Sequence, residues 1–134
     1  MGTTLSGNPM QFACLRATLA EVMTPKAYAR MDKGAARLAA GLGRVIARHT
    51  APWHVVRVGA RVEFICAAGP LRNGTEAAAA HQPALEAAIH TALLNRGCLI
   101  APFHNMMLVS PATTKRQIDR LIAAFDEILT DLFE

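Results

Sequence analysis

Aromatic residues are scarce in this chain of 134, with one Trp, one Tyr and five Phe. That is too few for a platform on which nucleic-acid bases stack. The net charge of +4 calls for the same check, because a basic domain can bind phosphate backbones. Its arginines and lysines are spread along helical segments among acids, however, and form no dense basic block. Solvated helix faces therefore explain the charge, and no nucleic-acid partner is expected. Cysteine is limited to Cys14, Cys66 and Cys98, too scattered for a disulfide framework and without the C-x-x-C or His-x-x-x-His spacing of a zinc site. They read as reduced, buried small hydrophobes, and no metal is expected. There is no run of eighteen apolar residues and no charged-then-apolar leader, so the sequence implies a cytoplasmic protein with no membrane role. Also missing are a Gly-x-Ser-x-Gly elbow, a dinucleotide-binding glycine loop and a phosphate loop ending in Gly-Lys-Ser/Thr. Five histidines, His49, His54, His81, His90 and His104, fall on different elements, with no carboxylate at a suggestive spacing.

What is present is enough for one core, since 52% of the residues are hydrophobic and 18% charged. Phe12, Leu15, Leu19, Val22 and Met23 recur at helical spacing and predict an amphipathic helix from Pro9 to about Met23 with one buried stripe. Thr24-Pro25 ends it and starts a second helix reaching about His49. There Tyr28, Met31, Ala35, Leu38, Leu42, Val45 and Ile46 keep to one face, as core or as a dimer surface. In "WHVVRVGARVEFICAAG" the period shortens, and two β-strands bent near Gly59 are expected. "PLRNGTEAAAAHQP" reads as a long loop with a helical turn. Leu85, Ile89, Ala92 and Leu93 mark a third helix that stops at Arg96-Gly97. "CLIAP" and "MMLVS" follow as two more strands. Thr114-x-x-Gln117 is a capping box that opens a last amphipathic helix through Ile118, Leu121, Ile122, Phe125, Ile128, Leu129 and Leu132. Four short strands with helices to cover one face predict an α+β two-layer sandwich, its small sheet mostly antiparallel.

Two stretches invite a functional reading. In "TTLSGNPM", Asn8 can cap a helix that Pro9 opens. Thr3, Thr4, Ser6 and Gly7 then stand beside a helix N-terminus, whose free amides favour a phosphate or carboxylate. As local sequence the stretch is equally a capped turn. The tripeptide Phe103-His104-Asn105 lies between two expected strands, where loops on a rigid scaffold make substrate contacts. A plain hairpin turn would look the same.

Thr4-Leu5-Ser6-Gly7-Asn8-Pro9 followed by an alanine- and leucine-rich helix strongly resembles the Ser-Gly-Asn-Pro motif of class III aminotransferases, pyridoxal-phosphate enzymes of fold type I. The likeness continues through "YARMDKGAARLAAGL", "GARVEF", "PLRNGTEA", "ALLNRGCLIAPFHNMMLVSPATT" and "IDRLIAAFDEIL". It is greatest for the branch that includes glutamate-1-semialdehyde aminomutases and transaminases of β-amino acids. The resemblance covers only the C-terminal part of such an enzyme. It divides the chain into a cofactor-phosphate motif with a connecting helix (1–24) and a small C-terminal domain (25–134).

Several expectations follow from the resemblance. The cofactor is pyridoxal 5'-phosphate. Thr4 binds its phosphate across a homodimer interface, with Ser6 and Gly7 beside it. Phe103, His104 and Asn105 line the entrance for small amino and keto substrates, and Arg61 in "GARVEF" steers a carboxylate. The lysine that carries the cofactor, the aspartate on its ring nitrogen and the aromatic stacked on it belong to a large domain upstream. Lys26, Lys33 and Lys115 match no such site, so no catalytic residue is assigned. The chain is expected to be a fragment of an enzyme transferring an amino group between an amino acid or amine and a keto acid or aldehyde, or of an aminomutase-like one, and inactive by itself. An acidic residue is expected in true aminomutases where His104 and Asn105 stand, which favours simple transamination. A stand-alone, non-catalytic interaction module is the alternative.

Overall fold

A computed structural model describes residues 6–101 and 105–133. Helix α1 (Pro9–Ala17) opens as its sequence dictates, with the Asn8 side chain accepting from the Met10 amide and Pro9 in the first turn. It runs into a single π turn over Thr18–Val22. Thr24 then caps α2 (Pro25–Arg48), its hydroxyl accepting from the Ala27 amide at 3.2 Å.

The hairpin follows as β1 (His54–Val58) and β2 (Arg61–Ile65), paired antiparallel with Val58 opposite Arg61. Only Gly59 and Ala60 remain for the turn, and Gly59 takes a φ of +54°, a region open to glycine without strain. After α3 (Gly74–Ala79) and α4 (Pro83–Asn95) comes β3 (Met106–Leu108), which pairs with β2, Glu63 lying opposite Met106. The sheet order is β1-β2-β3, all antiparallel. Helix α5 (Lys115–Phe133) closes the chain. Its capping box forms in both directions, Thr114 N–H to Gln117 Oε1 at 2.8 Å and Gln117 N–H to Thr114 Oγ1 at 3.3 Å.

The core lies between one sheet face and α2, α4 and α5. Val62, Phe64 and Cys66 alternate inward from β2 and meet Leu38, Leu42, Ile89, Leu93, Phe125 and Leu129. Few as they are, the aromatics concentrate here. Phe64 and Phe125 have ring centroids 4.8 Å apart, and Trp53 stacks on Phe64 at 6.4 Å. Helices α2 and α5 approach closely because α2 carries Gly41, where a Cβ would overlap the Ile122 side chain. Arg37–Asp119 at 2.7 Å, Arg48–Asp126 and His49–Asp126 at 2.9 Å tie the same two helices together. No helix among the described residues is long and apolar enough to cross a membrane.

Three expectations need correction. The apolar stripe of the first helix is not buried: Phe12, Leu15 and Leu19 are more than half exposed, and α1 has no buried residue. Periodicity shows that a stripe exists but not what covers it. Cys14, on that helix, is exposed for the same reason, whereas Cys66 and Cys98 are buried as expected. "CLIAP" is not a strand, and the sheet has three strands among the described residues rather than four. Cys98 and Ile100 are buried and Leu99 exposed, in strand-like alternation, but the segment pairs only through the single bridge Ala101–Met106. Alternation without a continuous ladder is not a strand. The stretch "PLRNGTEAAAAHQP" does hold the expected helical turn, the short helix α3. Asn73 caps it by accepting from the Glu76 amide at 2.9 Å.

Candidate functional site

The side chains of Arg61 and Glu63 share a face of β2 opposite to the core, because strand residues alternate. Glu63 Oε2 lies 3.7 Å from Arg61 Nη2. Glu63 also lines a cavity of ≈ 380 Å³ whose walls include Ile65, His81, Glu86 and Asn105. Asn105 is the buried polar residue of the described core, 5% exposed, and holds a φ of +45°. Asn tolerates that left-handed region better than most side chains, because its short amide can bond locally.

Helix α4 brings in Glu86 from its first turn. Its carboxylate accepts from the Gln82 amide at 3.0 Å and pairs with His81 Nδ1 at 2.7 Å. Gln82 is fixed in turn, its side-chain amide donating to the Cys66 carbonyl at 2.5 Å. The polar lining of the cavity is the Glu63 and Glu86 carboxylates with His81 and Asn105, set against walls that include Phe64, Ile65 and Leu71. Cys66, just beneath, is no nucleophile. Burial and the Glu86 charge push its thiol up to about 12.

Sequence reasoning missed the His81–Glu86 pair because the two are five residues apart across a helix start. Neither an i,i+4 nor a motif search would register that spacing, and an acid in the first turn of α4 was the only signal. His49, paired with Asp126 on a distant helix, was beyond any local reading.

Of the substrate-side residues named above, Arg61 lies opposite Leu108 at one end of the β2–β3 ladder, whereas Asn105 precedes Met106, the partner of Glu63, at the other end; Asn105 lines the cavity with Glu63 and Arg61 does not. Phe103 and His104 lie outside the described residues, as does Thr4. Ser6 and Gly7 form the exposed turn before α1, with no atom within 4 Å of a Cβ built on Gly7. A hydroxyl and an open glycine at a helix start fit a phosphate group in chemistry.

No family model matches the chain. Its architecture is nonetheless that of the C-terminal small domain of class III aminotransferases, and the chain is a homologue of that domain. A glutamate-1-semialdehyde aminomutase from Pseudomonas aeruginosa, whose structures include a complex with PMP, superposes with a TM-score of 0.95 at 45% identity, over 98% of this chain and 29% of that one. The glutamate-1-semialdehyde 2,1-aminomutase of Desulfosudis oleivorans is 36% identical over 132 residues, 96% of this chain and 30% of that protein. The β-phenylalanine aminotransferase of Variovorax paradoxus shares the fold, with a TM-score of 0.87 at 23% identity over 98% of this chain and 30% of that one. The chain thus spans about 30% of the length of the curated relatives it matches.

Proposed function

We propose that this chain is the C-terminal part of a pyridoxal-phosphate-dependent enzyme that moves an amino group, a class III transaminase or a glutamate-1-semialdehyde aminomutase-like enzyme working as a cytoplasmic homodimer. The observation that carries the reading is the match to the Pseudomonas aeruginosa aminomutase over nearly the whole chain, in sequence and in fold together. In this reading residues 1–24 carry the cofactor-phosphate motif and its connecting helix, and 25–134 form the small domain. The exposed apolar stripe of α1 fits a surface that the rest of the enzyme covers.

When bound, the cofactor supplies an electron sink for the bonds of the amino-bearing carbon. This chain's own residues hold and select. Thr4, Ser6 and Gly7 hold the phosphate through hydroxyl and amide donors, charge-assisted bonds stronger than neutral ones. Arg61 orients a substrate carboxylate, its guanidinium steadied by Glu63. Phe103, His104 and Asn105 line the entrance and keep water from it.

The test is made on the polypeptide encoded by the complete reading frame. Cofactor binding is followed by absorbance, and amino transfer is assayed with a panel of amino donors, then with glutamate-1-semialdehyde alone. A Thr4→Ala variant is expected to bind the cofactor on the order of tenfold more weakly, the loss of one charge-assisted bond. Unchanged affinity removes Thr4 from the site. A complete protein that binds no cofactor leaves the interaction-module reading.

A further inference from the structure

Away from the candidate site, α2 and the start of α5 enclose a cavity of ≈ 750 Å³ whose walls carry Arg30, Lys33, Arg37, Thr113, Thr114 and Lys115. The first three are spaced three and four residues apart, so one side of α2 presents all of them. Lys115 comes from the first turn of α5 and faces the same space. Pro111 and Ala112 line it with small apolar surface.

The local carboxylates neutralise one cation of this cluster and leave three. Asp119 is engaged by Arg37 at 2.7 Å, and Asp32, the acid beside Lys33, is engaged by Arg57 at 2.6 Å. Lys115 acts on Asp119 only through space. Among the described residues Arg30, Lys33 and Lys115 form no ion pair. At the start of α5 the capping box occupies the Thr114 and Gln117 amides, whereas those of Lys115 and Arg116 have no acceptor among the described residues. Three unneutralised cations around a concavity focus a positive potential into it.

We propose that this cavity binds a small molecule carrying two or more phosphate groups. Arg30 offers a planar fork suited to phosphate oxygens, and Lys33 and Lys115 offer point charges at separate positions, which a single monoanion would leave unmatched, while Arg37 stays with Asp119. A nucleic-acid strand is disfavoured because the lining has no aromatic side chain on which a base could stack.

The test is a calorimetric titration of the 134-residue chain with inorganic tripolyphosphate at fixed salt, with a single-stranded oligonucleotide in parallel. Saturable one-to-one binding of tripolyphosphate is expected. A double variant, R30E with K33E, is expected to weaken it by at least about tenfold. R44E, which reverses an exposed charge two turns further along α2, should leave it unchanged. Amide chemical-shift mapping on the unmodified chain, which needs no variant to fold, should place the perturbed residues at 30–37 and 113–116. No saturation, an equal loss in R44E, perturbed amides centred elsewhere, or tighter binding of the oligonucleotide would each overturn the proposal.

Discussion

Asn105 combines a buried amide with a left-handed backbone, and the two can be separated by substitution. Asn105→Ala removes the amide and places an ordinary Cβ at positive φ, a strain of about 1 kcal/mol or more. Asn105→Gly removes the amide but relieves the backbone. If the side chain contacts substrate, both variants of the complete enzyme raise KM alike, while thermal melting falls further for Ala. Equal KM in wild type and Gly variant would restrict Asn105 to a turn. Asp119 makes a residue-scale claim about pH. Its bond from Arg37, aided by Lys115, holds the carboxyl below its ordinary value of 3.8. A depressed folded-state value means that the clamp between α2 and α5 is fully present above that ordinary value and is lost as pH falls through the lower one. A carboxyl NMR titration should show the Asp119 midpoint below 3.8 and rising in Arg37→Ala. The same midpoint in both proteins would dismiss the clamp.

Among the elements, α1 and α5 both carry apolar side chains at helical spacing, weakly segregated on α1 and sharply on α5, and meet opposite fates. Phe12 on α1 is 56% exposed and Phe125 on α5 is 1% exposed. Phe125→Ala is expected to cost about 3–5 kcal/mol in denaturant unfolding of this chain. Phe12→Glu should stay within about 0.5 kcal/mol of wild type, because it removes no core contact. A large loss in Phe12→Glu would mean that α1 packs in solution. Both helix stripes were legible from spacing alone, as were the Asn8 and Thr114 caps, since caps and periodicity are local properties. The strand expected at "CLIAP" failed for the converse reason. A strand exists only through its ladder, and whether a partner runs alongside is not local information.

For the whole molecule, α2 and α5 meet at Gly41, where a Cβ would overlap the Ile122 side chain. Gly41→Leu fills space that the α5 side chain occupies and should destabilise the chain by about 1–3 kcal/mol. A melting temperature at or above wild type would show that the helices have slack. The same approach of α2 to the start of α5 gathers Arg30, Lys33, Arg37 and Lys115 around one cavity. In sequence these cations are interleaved with acids and read as a solvated face. Folding commits Asp32 to Arg57 on the hairpin and Asp119 to Arg37, which leaves the remaining cations without partners among the described residues.

The four long helical segments, the β1–β2 hairpin, the fold class and the likeness to class III aminotransferases were determined by the sequence alone, because they rest on local chemistry, hydrophobic period and short motifs. Tertiary structure decided which apolar stripe is covered, where His81 and Glu86 meet, and how Glu63 and Asn105 come to line one cavity. Those outcomes depend on distances between residues far apart or out of period in the chain. Only the packing of α2, α4 and α5 on one sheet face sets such distances.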